Sequence, residues 1–385
     1  MKKKFALADI EAGDSFSRDA FVEGNNIFVP AGVAVRERDM EGLRRWEVTH
    51  VFSEGELVKK AAREAAAKKK ETKGPVFKDT GGSGFVEDAF FADYAAILQD
   101  AQSVFQSIQR SALPESGLIE KINSRIMKMV DENESQIVAA IIGSNVEGYE
   151  EAKTAVNCTI LSLVVGKTMK LPAYRLQQLA LGAFLHDIGM IKIPQDILKK
   201  TGKLSVEEMQ KLKSHPLYSY RAITRELHFP EDVGLIGLQH HERWDGEGYP
   251  RKTVGAEIDI LARIVSVTDA FEAMISQKSY RNSMIGYAAM KSLLSDNGRR
   301  FDPDVLKAFL RSMGIYPIGS IVVLNNSAIA KVVTSHADAP LRPCLRVLVD
   351  EFGNHYKEPE GEVLDLLTEK TLFIARAIDP RELVS

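Results

Sequence analysis

The stretch His186-Asp-Ile-Gly-Met-Ile-Lys-Ile-Pro194 follows directly on an apolar helical segment, Leu179 to Leu185. An imidazole and a carboxylate therefore emerge together where a buried helix changes direction. Adjacent nitrogen and oxygen ligands suit iron, manganese or zinc, and a carboxylate can bridge two ions. The pair alone is a weak sign of a metal site, because His-Asp dipeptides arise by chance and usually make surface or capping hydrogen bonds.

Histidines are concentrated around this stretch, since five of the eight in the chain lie between positions 186 and 241. His215 precedes a proline, and taken alone it would be an exposed residue at a helix boundary. His240 and His241 follow an apolar run, and neighbouring helical residues point about 100° apart. Both rings can face one ion only near a helix end or around a broad cluster, and the glycines and proline that follow supply such an end. His228 has no acidic or histidine partner beside it and is interpreted as an ordinary loop residue.

Asp269 lies in the strongly apolar helical segment Ile264 to Phe271. An unpaired carboxylate there would be costly to bury. Metal coordination would remove that penalty, and an ion pair with Arg263 or Lys278 is the alternative if the carboxylate is exposed. Four imidazoles and two carboxylates are enough for two ions that share one bridging carboxylate. The candidate ligands are His186, Asp187, His215, His240, His241 and Asp269.

The pattern of apolar residues divides the chain of 385 residues into several units. Short β-type runs around a helix near Arg38 to Trp46 predict a small α+β module, and apolar positions three and four apart predict a long helical domain. The predicted fold class is mainly α, a helical bundle with a small N-terminal α+β module and a C-terminal β-rich appendage. The predicted parts are the module at 1–57, a charged and glycine-rich linker at 58–84, the helical domain at 85–315 with its core at 148–314, and the appendage at 316–385.

Composition excludes several classes of protein. The formal net charge of -3 does not indicate binding to duplex nucleic acid or to an anionic membrane. A small anionic ligand remains compatible, because it needs only local positive charge. Two cysteines, Cys158 and Cys344, argue against a disulfide scaffold and suit a reducing compartment.

The apolar stretch near the start is broken at once by Asp9 and Glu11, so it fails as a signal peptide, and no apolar run is long enough to span a membrane. The sequence predicts a soluble, cytoplasmic protein.

Four motifs occur in a fixed order: HDIG at 186–189, His215-Pro216, HHERWDGEGYP at 240–250 and VTDAF at 267–271. Over about Gly148 to Gly314 this order resembles the HD-GYP family of HD-domain metal phosphohydrolases, for which the HHERWDGxGYP signature is highly specific. The resemblance implies a bundle holding two or three divalent ions, iron or manganese. It also implies that the six candidate ligands are the metal ligands, and that cyclic di-GMP is hydrolysed to pGpG or onward to GMP.

The same resemblance implies roles in substrate binding. Tyr249 matches the family tyrosine that approaches the bound dinucleotide, and Gly248 shapes its loop. Lys278 and Arg281 fall where the family places basic residues on the phosphates. Arginine is usual at the first of these positions, and a lysine keeps the charge but loses the bidentate fork. The residues predicted to act in catalysis are Asp187, Tyr249 and Lys192.

Two positions depart from the family pattern. The family has a first-helix histidine in a context like HSVN, and the matching run here is Thr154-Ala-Val-Asn157. Glu150 lies one helical turn earlier on the same face, where it is either a substitute metal ligand or an ordinary exposed acid. The family lysine after HDIG is replaced by Met190, and Lys192 is the basic residue two positions on.

Three functions are compatible with these features. The first is a phosphodiesterase that uses metal-activated water on cyclic di-GMP. The second is a catalytically weakened module that binds a cyclic dinucleotide or docks a protein. The third is a hydrolase of another nucleotide. The flanking regions suggest docking or support, with a homodimer through the helices before Glu150 as one possible assembly.

Overall fold

The computed structural model describes residues 3–11, 13–22, 26–29, 35, 40, 48–59, 76–78, 88–143, 145–147, 149–200, 202–276, 286–357 and 360–378. The chain forms two compact units, residues 1–74 and residues 75–385. Among the described residues, no helix combines the length and the apolar character needed to cross a membrane.

The first unit is built on short antiparallel strands. Four of them form a sheet in the order Lys3–Ala6, His50–Ser53, Ala20–Val22 and Asn26–Val29, while Ser15–Phe16 pairs with Leu57–Val58. Phe16, Met40 and Val51 are buried in its core. The helix predicted near Arg38 to Trp46 lies outside the described residues except for Met40. The strands are β1 Lys3–Ala6, β2 Ser15–Phe16, β3 Ala20–Val22, β4 Asn26–Val29, β5 His50–Ser53 and β6 Leu57–Val58.

Most of the second unit up to residue 313 is helical, as the spacing of apolar residues predicts. The described helices are α1 Asp88–Gln109, α2 Leu118–Gly143, α3 Glu150–Thr168, α4 Ala173–Leu185, α5 Gln195–Leu198, α6 Val206–Leu212, α7 His215–Arg221, α8 Glu231–Gln239, α9 Ile260–Ile275, α10 Gly286–Ser295 and α11 Pro303–Met313. Strand β7, Val76–Lys78, lies within the predicted linker and pairs with β8, Asn145–Glu147.

Helix α3 is the centre of the bundle. Residues 155–166 are all buried, because apolar or small side chains cover every face of this part of the helix. Helices α1, α2, α4, α9 and α11 pack around it. Helix α8 packs closely on α4, since a Cβ at Gly182 would collide with Ile236. This packing brings the ends of α4 and α8 together.

An antiparallel sheet follows the helices, with its strands in the order Val363–Asp365, Cys344–Val349, Ile329–Thr334, Ile321–Leu324 and Ile374–Ile378. Val322, Ala330, Val332, Leu345 and Leu366 form the buried side of this sheet. The predicted fold class, a helical domain followed by a β-rich appendage, is confirmed. The strands are β9 Ile321–Leu324, β10 Ile329–Thr334, β11 Cys344–Val349, β12 Val363–Asp365 and β13 Ile374–Ile378.

Candidate metal centre

The HDIG motif turns the chain at the end of α4. His186 follows the last residue of that helix, and a 3₁₀ turn at Ile188–Lys192 comes directly after Asp187. The Gly189 N–H donates to Ser219 Oγ at 2.9 Å, and a Cβ at Gly189 would collide with the His215 carbonyl oxygen. The glycine therefore lets the turn lie directly on α7, the helix that begins with His215.

The other candidate ligands come from two neighbouring helices. His240 caps the C-terminal end of α8, and His241 is the next residue. Asp269 lies in the middle of α9, one residue after Thr268, whose hydroxyl lies 2.7 Å from Ser162 Oγ of α3. The helix end after α8 gives both histidine rings access to one place, as the sequence predicts.

All six candidate ligands meet in one cluster. Donor atoms of Asp187, His215, His240 and His241 lie within 4.8 Å of one another, and so do those of His186, Asp187 and Asp269. Asp187 belongs to both groups. Its Oδ1 lies 3.2 Å from His215 Nε2 and 3.4 Å from His240 Nε2, whereas its Oδ2 lies 3.7 Å from His186 Nε2.

Backbone carbonyl groups orient three of the imidazoles. Nδ1 of each ring donates to the carbonyl oxygen three residues earlier, at 2.7 Å for His186, 2.7 Å for His215 and 2.9 Å for His240. A carbonyl oxygen only accepts, so the hydrogen of each neutral ring is on Nδ1. The lone pair of Nε2 then points into the cluster, which is the arrangement of metal-binding histidines.

The cluster fits divalent metal ions. His186 Nε2 and Asp187 Oδ1 are buried without a hydrogen-bond partner among the described residues, which would be costly unless another group binds them. Two ligand atoms bound about 2.1 Å from one ion lie about 3.0 to 3.4 Å apart, depending on the coordination geometry. Distances of 3.2 Å and 3.4 Å from Asp187 Oδ1 to His215 and His240 are in that range.

Burial and charge act against each other in the cluster. Burial alone would lower the pKa of His186, but Asp187 and Asp269 outweigh it and raise that pKa to about 9. Burial would raise the pKa of the carboxyl groups of Asp187 and Asp269, but the nearby imidazoles outweigh this effect. They hold the pKa of Asp187 well below its usual range and lower that of Asp269 to about 2. Burial lowers the pKa of His240 and of His241. Ionised carboxylates and neutral imidazoles are the forms that bind metals, so His186 would release its proton when an ion binds.

Arg263 does not neutralise Asp269. Its guanidinium lies 2.6 Å from the carboxylate of Asp302 and 5.7 Å from the Trp244 ring. The side chain of Asp269 is only 15% exposed, and its Oδ1 lies 3.6 Å from His186 Nε2. Burial of His215 likewise excludes the alternative of an exposed boundary residue.

Tyr249 lies against the cluster. Its ring stacks on the His241 ring with centroids 4.8 Å apart, and Lys213 Nζ lies 5.3 Å from the centre of the tyrosine ring. A Cβ at Gly248 would collide with the backbone of Glu242 and Arg243, so the loop can fold this closely only with glycine there.

The buried carboxylate of Glu242 holds the loop that follows Tyr249. It accepts the N–H of Arg251 at 2.7 Å and the N–H of Thr253 at 3.1 Å. The sequence analysis missed Glu242 and Lys213. A signal for Glu242 was present, because an acid directly before a glycine-rich turn can accept N–H groups that the turn leaves unpaired. Lys213 carried no comparable signal, since its position depends on how α6 packs.

The departures from the family pattern lie together. Glu150, Thr154 and Met190 line a cavity of about 220 Å³ that reaches His186 and Asp187. Glu150 is the first residue of α3. Its side chain is 56% exposed, and its Oε2 lies 3.3 Å from Lys153 Nζ.

None of the three predicted basic residues is among the described residues that line the cavity. Lys192 is exposed on the 3₁₀ turn and is not among the described residues that line the cavity. Lys278 and Arg281 lie outside the described residues.

Two family models match the chain. A model of the HD domain matches residues 122–305, and a model of the KOW domain associated with the HD domain matches residues 321–385. The first covers every candidate ligand, and the second covers the strands of the C-terminal sheet.

Several characterised proteins resemble this chain. A cyclic di-GMP phosphodiesterase of Pseudomonas aeruginosa is 28% identical over 65% of this chain and 59% of its own length. The cyclic di-GMP phosphodiesterase response regulator RpfG of Xanthomonas campestris is 34% identical over 56% of each chain. A cyclic di-GMP phosphodiesterase of Thermotoga maritima is 38% identical over 39% of this chain and 41% of its own. The chain thus spans about half the length of the relatives it matches.

The motifs, the fold and these matches agree. The ordered histidines and aspartates lie in the region that the HD-domain model covers. Residues 122–305 form an HD domain, and its motifs are those of the HD-GYP family.

Proposed function

We propose that this protein is a metal-dependent phosphodiesterase that hydrolyses cyclic di-GMP to pGpG, to GMP or to both. The observation that carries the proposal is the position of Asp187, whose two carboxylate oxygens face different sets of imidazoles. The names of the relatives support the substrate. Iron or manganese suits the mixture of imidazole and carboxylate donors, with two ions in the cluster and a third if Glu150 contributes.

The six clustered side chains would hold the ions. Divalent ions bound there lower the pKa of water and polarise a phosphoryl oxygen. The contribution of the protein is to fix the positions of the donors before substrate arrives. Backbone carbonyls hold the rings of His186, His215 and His240, so little reorganisation is needed during the reaction.

Tyr249 is the candidate donor of a proton or hydrogen bond to the leaving ribose oxygen. Burial raises the pKa of its phenol, so the hydroxyl keeps its hydrogen at neutral pH. Stacking on His241 fixes the ring beside the metal ligands. Asp187 acts in catalysis through the ions that it would share.

Positive charge near the phosphates would come from several lysines and one arginine. Lys213 lies over the Tyr249 ring, and its ammonium is near enough to the loop to meet a phosphate beside that tyrosine. Lys278 and Arg281 are proposed as further phosphate contacts by the family resemblance. Lys192 would have to turn inward from its exposed position to take part.

A second candidate function is binding of a cyclic dinucleotide without efficient turnover. Met190 favours it, because a thioether lines the cavity where a lysine is usual, and so does Thr154 in place of a histidine. The six oriented donors favour hydrolysis, because a module that only binds a nucleotide does not need them.

Metal content and turnover measured on the same protein distinguish these functions. The full chain should be purified without oxygen, loaded with Fe(II) or Mn(II), assayed for bound metal by mass spectrometry, and given cyclic di-GMP with products separated by chromatography. We expect two or more ions per chain and formation of pGpG or GMP. A chain that binds ions and cyclic di-GMP but yields no product would support the binding function. A chain that binds neither metal nor nucleotide would contradict both.

A further inference from the structure

A second group of metal-binding side chains lies in the C-terminal sheet, away in sequence from the candidate metal centre. His336 Nε2 lies 3.0 Å from Asp365 Oδ1 and 3.4 Å from Cys344 Sγ. The three donor atoms lie within 4.8 Å of one another, and all three residues are half-buried. They form a group separate from those that contain Asp187, and they follow the matched HD-domain region, which ends at residue 305.

The sheet itself brings the three residues together. Cys344 is the first residue of β11 and Asp365 is the last residue of β12, and they are direct cross-strand partners. His336 lies in the loop that joins β10 to β11. Arg342 of the same loop donates to the Leu366 carbonyl oxygen at 2.8 Å, which ties the loop to the segment after β12. The backbone N–H of Leu367 donates to Asp365 Oδ1 at 2.9 Å and orients its carboxylate.

The geometry separates a metal site from a catalytic triad. In a triad the nucleophile and the carboxylate contact different nitrogens of the histidine, so that one orients the ring while the other exchanges a proton. Here the thiol and the carboxylate both approach Nε2. One ring nitrogen has either one hydrogen or one lone pair. Convergence of sulfur, oxygen and nitrogen atoms on one place is instead the arrangement that a shared cation requires.

We propose that His336, Cys344 and Asp365 bind one zinc ion. Thiolate and imidazole donors suit zinc, whereas magnesium and calcium prefer oxygen donors. Around a tetrahedral zinc ion the donor atoms lie about 3.4 to 3.6 Å apart, so the observed pairs need to move by only a few tenths of an ångström. Three protein ligands leave one position open. The side chains of His336 and Asp365 are 27% and 36% exposed, so an ion can reach the site from solvent.

The ion would fasten the loop between β10 and β11 to the end of β12. Arg342 also joins that loop to the segment after β12, through the carbonyl oxygen of Leu366. A metal ion that binds only the folded sheet stabilises it, because binding free energy adds to folding free energy. Zinc should therefore raise the melting temperature of the full chain through this site as well as through any effect at the candidate metal centre.

Cobalt(II) is the probe that distinguishes this site from the centre around Asp187. A cobalt–thiolate bond gives a strong near-ultraviolet charge-transfer band, and the candidate metal centre has only imidazole and carboxylate donors. The metal-free full chain, kept reduced with a phosphine, should be titrated with cobalt(II). We expect the band to reach its maximum with one thiolate-bound cobalt per chain and to disappear when zinc is added.

Two cysteine variants identify the ligand. Cys344→Ser should abolish the band, whereas Cys158→Ala, which changes the buried cysteine of α3, should keep it. Circular dichroism shows whether each variant is folded. If Cys344→Ser does not fold, His336→Asn and Asp365→Asn serve instead, and each should weaken cobalt binding at least tenfold. A wild-type chain without the band, or a band that survives in Cys344→Ser, would overturn the proposal.

Discussion

Met190 lines the same cavity as His186 and Asp187, at the position where the family usually has lysine. We expect Met190→Lys to increase kcat/KM for cyclic di-GMP about tenfold or more, because a charged hydrogen bond to phosphate is worth about 1.5 to 3 kcal/mol. Steady-state kinetics at equal metal loading would measure this. Met190→Gln is the matched control, since it has similar length but no charge. An equal change in both variants would contradict the electrostatic explanation.

Glu150 lines the cavity beside Thr154, one turn away on α3. If its carboxylate binds an ion, Glu150→Gln should lower the bound metal by up to one ion per chain, because an amide is a weaker ligand than a carboxylate. Mass spectrometry of the loaded protein measures the change. Glu120→Gln, which alters an exposed acid of α2 that does not line the cavity, should leave the metal content unchanged. A Glu150 variant with full metal content would show that this residue is an ordinary acid paired with Lys153.

The roles of single residues divide into those that the sequence could predict and those that it could not. His186, Asp187, His240 and His241 could be predicted as candidate ligands that lie close together, because each pair is adjacent in the chain and follows an apolar helix. The carbonyl partners of their Nδ1 atoms depend on the final turn of each helix and could not be assigned from residue types. Lys213 could not be predicted either, because it approaches Tyr249 only through the packing of α6.

The loop after α8 depends on the buried side chain of Glu242, which accepts two backbone N–H groups. Glu242→Ala should destabilise the protein by about 1 to 3 kcal/mol, because those groups would lose their partner. It should also reduce kcat/KM, since the loop that carries Tyr249 would no longer be held. Metal content should change little. Chemical denaturation and kinetics measure the two effects, and Glu247→Ala on the exposed part of the loop is the control. Full stability in Glu242→Ala would contradict this account of the loop.

Helix α1 supplies one wall of the cavity through Gln102, Gln106 and Gln109. Spacings of four and three residues put these amides on one face of the helix. Gln102 Oε1 is buried without a hydrogen-bond partner among the described residues, and an amide can both donate to and accept from a nucleotide base. This wall precedes the matched HD-domain region, which begins at residue 122.

We therefore expect Gln102→Leu to lower kcat/KM for cyclic di-GMP by about tenfold, the worth of one hydrogen bond, without loss of metal. Competition assays with other cyclic dinucleotides would measure the change in preference. Ser103→Ala, which alters the exposed neighbour of Gln102, should have no effect. If Gln102→Leu has wild-type kinetics for every nucleotide, α1 does not recognise the base.

At the scale of the whole chain, the order of the helical and β-rich regions could be predicted from the sequence, whereas contacts between distant segments could not. Periodic apolar residues predicted the helical bundle, and β-branched runs predicted the C-terminal sheet. The pairing of β7 with β8 and the meeting of His336, Cys344 and Asp365 could not be predicted, because both depend on contacts between distant segments. The domain boundaries stay predictions.

The central claim is that Asp187 is shared by two ions. The most direct measurement is electron paramagnetic resonance of the full chain loaded with manganese(II). A bridging carboxylate should give the spectrum of an exchange-coupled pair, and Asp187→Asn should lose it, while Asp196→Asn at an exposed position should retain it. A wild-type spectrum that contains only isolated manganese(II) at full metal loading would contradict the shared carboxylate.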